Sequence, residues 1–434
     1  MTPMMIALVY GTPLVLILGT YLLMRGRATK RASAILNESV EAGLTEPASL
    51  HPHIDYALCC GAGACVAACP EKTVIGIIKG KAALVDPTAC IGHGACAAAC
   101  PTNAIELVFG SQTRGVDLPV VSPEFETNIP GLYIAGELGG MGLIRNAITQ
   151  GRQAVEAIAR NRPPAHDGIL DLLIVGAGPA GLAASLGAKA EGFNYLTIEQ
   201  ESFGGTVAHF PRGKVVMTEQ VELPLVGKVN FREVSKEDLL GFWGQIRETH
   251  DLNISFEHPF DGLEETAEGF RVATGKGPIE ARTVLLTIGR RGTPRKLGVP
   301  GEDMPKVVYR LSDPAQFAGS KVLVVGGGDS ALEAAATLAD ETTATVTLSY
   351  RGDAFQRARR KNRARVEALA ATDKLKVLLK SNVLEIGEAN IRLGTEDSEA
   401  DLPNDHVIVC AGGILPTGLL KDMGVEIVRK YGEP

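Results

Sequence analysis

The stretch DLLIVGAGPAGLAA, residues 171–184, governs how the rest of the chain is read. Residues 172–175 are a short branched, apolar run with the composition of a buried strand. GAGPAG (176–181) is a glycine turn, and LAASLGAKAEG after it reads as a helix. Gly176 makes the tight turn, Gly178 lets a pyrophosphate approach the backbone, Pro179 and Ala180 open the helix, and Gly181 lets helix and strand pack closely. The next strand, YLTIE, ends at Glu199, where an acid accepts a hydrogen bond from a ribose hydroxyl. A glycine turn alone is weak evidence. With strand, helix and acid at this spacing, it predicts an α/β dinucleotide-binding domain.

The pattern recurs. KVLVVGGGDSALEAAATLA (321–339) is a second strand, turn and helix, with Gly326, Gly328 and Ala331 at the G-x-G-x-x-A positions and Asp329 and Ser330 between them. Its following strand, ATVTLSYRG, carries no acid at Ser349 or Tyr350 and ends in Arg351, with Arg357 close behind. An arginine where an NAD site would hold an acid pairs with a 2′-phosphate, so Arg351 and Arg357 predict NADPH, with NADH the alternative. The run 359–365 (RRKNRAR) reads mainly as a solvated helix face. Cys410, in HVIVCAGG, reads as a buried strand cysteine.

Length allows two or three domains, and a net charge of -7 with no long single-sign block gives no support to nucleic-acid binding. Seven of the eight cysteines fall between Cys59 and Cys100, which argues for a metal or iron–sulfur site in a reducing compartment. They form two copies of one unit, CCGAGACVAACP (59–70) and CIGHGACAAACP (90–101). Here the chain resembles the bacterial two-cluster ferredoxins, whose unit is C-x2-C-x2-C-x3-C-P with the last cysteine serving the opposite cluster. That resemblance implies one cluster on Cys59, Cys65 and Cys100 and another on Cys90, Cys96 and Cys69. Both copies depart at the second slot, where Ala62 and His93 stand. His93 supplies an imidazole; Ala62 supplies nothing, so the first cluster is either a [3Fe-4S] species or a [4Fe-4S] one completed by Cys60. A metal-free remnant and a zinc site are the competing readings.

The segment TNIPGLYIAGELGG (127–140) resembles the closing FAD motif of thioredoxin-reductase-like flavoproteins, with Glu137 in place of the usual aspartate after Gly136. The resemblance implies a following helix that begins near Leu143, with Asn146, Ala147, Thr149 and Gln150 near its flavin end. A helix N-terminus there favours negative charge on a reduced flavin. ESFGGTVAHF (201–210) resembles the family's segment along FAD, through Gly204, Gly205 and Thr206. TVLLTIGRRGTPRKLGVPGE (283–302) resembles the second FAD-side motif, with Gly289. In this family the GAGPAG piece comes first and the closing piece last; here the order is inverted. If 116–159 completes the domain of 170–295, the chain is circularly permuted, NRPPAHDG (161–168) is the new joint, and Gly432 and Gly115 mark the old one. The family's CxxC ahead of the second glycine turn is missing from VYRLSDPAQFAGSKVLVVGGG (308–328). That points to the ferredoxin–NADP reductase branch, in which hydride reaches the flavin and single electrons leave it.

Residues 4–24 hold no charge across about 21 positions, enough for a helix of about 30 Å, and RGRATKR (25–31) follows. This predicts a single-pass anchor in the cytoplasmic membrane with the remainder facing the cytoplasm; a cleaved signal peptide is the alternative. The organisation expected is an anchor at 1–24, a linker at 25–50 with residues 32–54 reading as a short polar helix and linker, a ferredoxin-like α+β domain at 51–110 and the displaced FAD segment at 116–162. An FAD domain at 168–298, an NAD(P)H domain at 299–418 and a tail at 419–434 returning to the FAD domain follow. The fold class is α/β, with two Rossmann-like domains. The function expected is an oxidoreductase passing electrons from NADPH through FAD to its clusters and a redox partner (ferredoxin, quinone or membrane electron-transfer protein), or the reverse. A redox-sensing module and a thiol reductase using another cysteine are the alternatives. The resemblance also implies a homodimer.

Overall fold

A computed structural model describes residues 3–41, 43–47, 50–161, 168–210, 212–216, 220–231, 233–356, 358–395 and 398–433, with side chains from Tyr10 onward. The chain divides into two compact units, one of Met1–Gly115 with Tyr431–Pro434, the other of Val116–Lys430.

The first unit opens on helix α1 (Pro3–Glu41), followed by β1 (His51–Ile54), α2 (Ala64–Ala68), the hairpin β2 (Ile75–Ile78) and β3 (Lys81–Leu84), α3 (Ala95–Ala98) and β4 (Ile105–Val108). Strands β1 and β4 pair antiparallel, Ile54 opposite Ile105. The helix expected to open near residue 32 is the end of α1, which runs unbroken to Glu41, and Ala32 and Ile35, three apart on one face, pack with Val85. Gly76 makes that contact possible: a Cβ there would lie 2.5 Å from the Ala32 methyl carbon. The expected membrane span is not carried. Leu14–Leu18 and Tyr21–Met24 are exposed, yet among the described residues no helix is long and apolar enough to cross a membrane.

The second unit begins with β5 (Val116–Pro119), β6 (Leu132–Ile134) and α4 (Ile144–Arg160). It continues with β7 (Leu170–Val175), α5 (Pro179–Ala190), β8 (Tyr195–Ile198), the hairpin β9 (Val221–Leu223) and β10 (Gly227–Val229), α6 (Lys236–Thr249) and β11 (Ile254–Ser255). A meander of β12 (Phe260–Thr266), β13 (Gly269–Thr274) and β14 (Ile279–Leu286) completes the first sheet, ordered β11-β8-β7-β14-β13-β12. Strand β6 joins this sheet parallel to the C-terminal half of β14, Leu132 opposite Val284 and Ile134 opposite Leu286. One core therefore holds Tyr133, Ala154, Val155 and Ile158 together with Leu172, Ile174, Ala184 and Leu285. The segment preceding β7 is part of the same domain.

Strand β15 (Thr293–Pro294) leads to the second sheet, built from β16 (Val307–Val308), β17 (Lys321–Val325), α7 (Asp329–Glu341), β18 (Thr345–Ser349), α8 (Arg360–Ala371) and β19 (Leu375–Leu378). A three-stranded sheet of β20 (Asn382–Ile386), β21 (Asn390–Gly394) and β22 (Glu399–Pro403) precedes β23 (His406–Val409), which re-enters between β16 and β17. The order β16-β23-β17-β18-β19 is parallel throughout, and its central strands β23 and β17 are buried on both faces and read as near-continuous apolar runs. After β24 (Gly413–Ile414) and α9 (Thr417–Asp422), β25 (Ile427–Lys430) pairs antiparallel with β5, Lys430 opposite Val116. Beyond it, the Gly432 N–H donates to the Phe109 carbonyl at 2.8 Å, inside the first unit. The chain thus returns at 430–432 to where it left at 109–116. Most of the expected joint, 162–167, lies outside the described residues.

Candidate functional site

The first glycine turn leaves β7 at Gly176, whose φ of +105° and place 2.8 Å (from an ideal Cβ) from the Thr287 carbonyl oxygen exclude a side chain. Gly178 caps α5 with Pro179 at its first position, so the turn points helix amides outward. A Cβ on Gly181 would sit 1.8 Å from the Gly176 oxygen. Glu199 is buried; its Oε2 accepts the Ala177 N–H at 2.8 Å and its Oε1 the Glu201 N–H at 3.0 Å, which fixes the carboxylate beside the turn. Gly204 donates its N–H to the Ala177 carbonyl at 3.0 Å, and Gly205, one residue before Thr206, lies against Gly178.

The displaced segment meets this turn. Gly136 (φ +82°) donates its N–H to Gln150 Oε1 at 2.8 Å, and a Cβ there would lie 3.1 Å from the Ala180 methyl and 3.8 Å from that of Ala147. Asn146 Nδ2 donates to the Gly142 carbonyl at 3.1 Å, securing the entry to α4. Glu137 keeps one side open while protein crowds the others; the resulting desolvation raises its pKa against the pull of Arg290. Two residues that the motifs did not point to complete the site. Thr287 donates its hydroxyl to the Val175 and Gly176 carbonyls, each at 2.9 Å, and Arg290 reaches the Asp117 carbonyl at 3.1 Å. A threonine closing the apolar run TVLLT was the only signal for the first. Gly289, between them, has a φ of +68°.

At the second turn, Gly326 (φ +145°) approaches the Cys410 carbonyl, with an ideal Cβ 2.4 Å from that oxygen and 3.1 Å from the Ala331 methyl. Gly328 caps α7, which begins Asp329, Ser330, Ala331. Asp329 Oδ1 accepts from the Arg359 amide at 2.8 Å and from Asn362 Nδ2 at 2.7 Å, so α8 is tied to the mouth of the turn. Arg351 is exposed just past β18; Arg357 lies outside the described residues. The Tyr350 ring, stacked on Phe355 at 5.6 Å, packs against Gly327, where a Cβ would come within 2.4 Å of it. Burial pushes the Cys410 thiol up to about 12 against the pull of Arg291, so it is no ready nucleophile.

In the first unit the cysteines gather round two cavities. One is lined by Cys59, Cys60, Ala62, Cys65 and Cys100; the other by Cys69, Cys90, His93 and Cys96, with Glu71 beside them. Each pairs one loop with the distant cysteine of the other repeat. Left-handed Gly61 and Gly63 turn the first loop and Gly92 and Gly94 the second. The Ala82 and Ala104 amides donate to the Cys59 and Cys100 sulfurs at 3.4 and 3.2 Å, as thiolate ligands require. Burial, then repulsion from Cys59 and Cys100, holds the Cys65 thiol above its ordinary range; burial, then Cys90 and Cys69, takes Cys96 to about 11. Burial likewise raises Cys69 and Cys90. At Cys100 a burial penalty is outweighed by the Thr102 amide and hydroxyl and the Ala104 and Ile105 amides, and the thiol falls. Among the described residues no three His, Cys, Asp or Glu side chains converge to hold one metal ion. A cluster binds each thiolate to a different iron, so cysteines drawn from both repeats round each cavity suit it.

Residues 173–434 match the family described as pyridine nucleotide-disulphide oxidoreductase. The chain belongs to that family. Residues 51–101 of this oxidoreductase match the 4Fe-4S dicluster domain, a four-iron type that gives no support to a three-iron cluster. It is 34% identical over 282 residues to a ferredoxin–NADP reductase of Ignicoccus hospitalis, covering 60% of this chain and 83% of that one. To the ferredoxin–NADP reductase of Thermus thermophilus it is 30% identical, covering 60% and 78%. The bacillithiol disulfide reductase of Staphylococcus aureus shares the fold, with a TM-score of 0.51 at 24% identity over 59% of this chain and 80% of that one. The protein is a pyridine-nucleotide-dependent FAD oxidoreductase with a ferredoxin-like iron–sulfur domain.

Proposed function

We propose that this oxidoreductase takes electrons from NADPH, passes them through FAD to its own four-iron clusters, and delivers them singly to an external acceptor such as a ferredoxin or a quinone. The carrying observation is that two thiol-ringed cavities occur in one chain with two dinucleotide turns, while residues 308–328 hold no cysteine. A bound flavin accepts two electrons as hydride and releases them one at a time, and a cluster carries one. The chain's part is positioning. The Gly176–Gly181 turn and α5 N-terminus hold a pyrophosphate, Glu199 a ribose, and the Gly328 turn with Arg351 and Arg357 the phosphates of NADPH. The inverted order supports a circular permutation: the family match starts at residue 173, yet β6 and α4, ahead of it, complete the same sheet and core.

Anaerobic addition of NADPH to the full chain should bleach the flavin band and then the broad iron–sulfur absorption; reduced flavin beside untouched clusters would sink the internal chain. A redox-sensing role is favoured only by Ala62 at a ligand slot, and steady turnover with one-electron acceptors would exclude it. Attachment to the cytoplasmic membrane, with the redox units on the cytoplasmic side, is proposed from the uncharged 4–24 and basic 25–31 segments. Recovery in the soluble fraction after cell disruption would refute it. A homodimer rests on the resemblance alone, and sedimentation equilibrium tests it.

A further inference from the structure

We infer that His93 is the fourth protein ligand, through an imidazole nitrogen, of the cluster in the Cys69, Cys90 and Cys96 cavity, and that it holds this cluster at a higher reduction potential than four thiolates would. The inference rests on the electron-transfer reading above, and deepens it.

His93 stands three residues after Cys90 and three before Cys96, the slot where the repeat requires a thiolate, and it lines the same cavity as the three sulfurs. The loop is shaped for this. Gly92 (φ +73°) and Gly94 (φ +82°) flank it in the left-handed region, and Gly94 caps α3. The Ala95 amide, first in α3, donates to His93 Nδ1 at 3.4 Å. A nitrogen that accepts a proton carries the lone pair, and in a neutral imidazole the hydrogen is then on Nε2. Nδ1 has only that one in-plane lone pair, so ligation of iron replaces the Ala95 contact rather than adding to it. Cys59 and Cys100 differ, since a thiolate sulfur has further lone pairs and ligates while it accepts the Ala82 or Ala104 amide.

The other cavity provides the contrast within one molecule. Ala62 sits between Gly61 and Gly63, left-handed like their counterparts, so the backbone turn is kept and the donor is absent. The two cavities differ in chemistry at an equivalent position, which a repeat preserved only for its fold would not require.

A thiolate brings a negative charge to bonding distance of the cluster; imidazole brings none. With less negative charge around it, the cluster takes up one electron more readily, with no bond made or broken. Glu71 lines the same cavity and acts in the opposite sense. It is unchanged in a His93→Cys variant, so comparing that variant with the wild type isolates the ligand. The consequence for the flow is directional, since a raised potential makes this cavity the place where electrons from NADPH come to rest.

The test uses the full chain, anaerobically reconstituted with iron and sulfide, reduced with NADPH and read by pulsed electron paramagnetic resonance and potentiometric titration. The expected result is nitrogen hyperfine coupling on one cluster of the wild type. In His93→Cys the coupling is lost, iron and sulfide are retained, and the cluster poised at its wild-type midpoint is at least tenfold less reduced, equivalent to 59 mV for one electron. A chain that holds iron and sulfide and bleaches with NADPH, but shows no nitrogen coupling, overturns the inference and leaves the electron-transfer reading standing. So does an unshifted potential in His93→Cys. A chain that takes up no iron and sulfide overturns both. The wild-type coupling needs no variant, so misfolding of His93→Cys does not protect the inference.

Discussion

Replacing Gly151 by alanine should loosen the flavin as well as the fold. Gly151 lies in α4, and a Cβ there would be 2.1 Å from the Ala180 carbonyl oxygen, 2.9 Å from its carbon and 3.0 Å from its Cα. All three are backbone atoms of the first turn of α5, so no side chain can swing away. Relieving the contact to ordinary van der Waals distance demands that the helices part by about 1 Å. Overpacking of this kind costs about 1–3 kcal/mol, while glycine to alanine inside a helix returns about 0.5–1 kcal/mol. The net is a loss of up to about 2.5 kcal/mol. Because Pro179, Ala180 and Gly181 move with that turn, at least one charge-assisted contact to a bound pyrophosphate is weakened, worth about 1.5 kcal/mol or about tenfold in FAD affinity. Gly244→Ala in α6 is the control: a Cβ there meets nothing within 4 Å, so the protein should gain stability by about 0.5–1 kcal/mol. Thermal unfolding and the flavin-to-protein ratio after gel filtration measure both variants. If Gly151→Ala behaves like Gly244→Ala and keeps its flavin, α4 does not lie on α5, and the assignment of the segment before β7 to the flavin domain fails.

Three further outcomes follow from the geometry. Glu199→Gln removes the charge from hydrogen bonds to the Ala177 and Glu201 amides and should cut FAD retention at least tenfold, about 1.5–3 kcal/mol; an unchanged flavin-to-protein ratio would count against the ribose role. Arg351→Ala should raise KM for NADPH about tenfold, the value of one charge-assisted contact, and leave KM for NADH unmoved in steady-state assays. Asp117 pairs with Arg429 across the β5–β25 ladder, and that hydrogen-bonded guanidinium holds its pKa below 3.8. A depressed carboxyl pKa stabilises the fold above the unfolded value and is lost as pH falls through the folded one. Asp117→Asn should therefore cost up to about 1 kcal/mol at pH 7, and the difference from wild type should shrink as pH drops below 3.8, seen as converging melting temperatures.

Legibility followed the range of the forces involved. The turns at Gly176 and Gly326 and the cysteine loops could be read directly because a local backbone requirement sets each spacing. The place of residues 127–140 could be read only by setting two motifs side by side, since LYI and LLIV pair with β14 across a long span of chain. What escaped was tertiary. Ala32 and Ile35 bring α1 onto the β2–β3 hairpin in a stretch that read only as a short polar helix and linker. Thr287 and Arg290 act through carbonyls that have no sequence signature. Tyr350 fills the space that two glycines, Gly327 and Gly352, leave over the second turn, a relation visible only once the strands are in register.

The β5–β25 ladder has a consequence for how the molecule is assembled. Strand β5 has β25 as its one ladder partner among the described residues, across roughly three hundred residues of intervening chain. Closing such a loop is entropically expensive, although the penalty grows only by about 0.6 kcal/mol for each doubling of length. Contacts this distant in sequence form late. During synthesis both dinucleotide sheets can therefore be complete while β5 still shows an unpaired edge, and the strand that emerges first from the oxidoreductase unit is the last to find its partner.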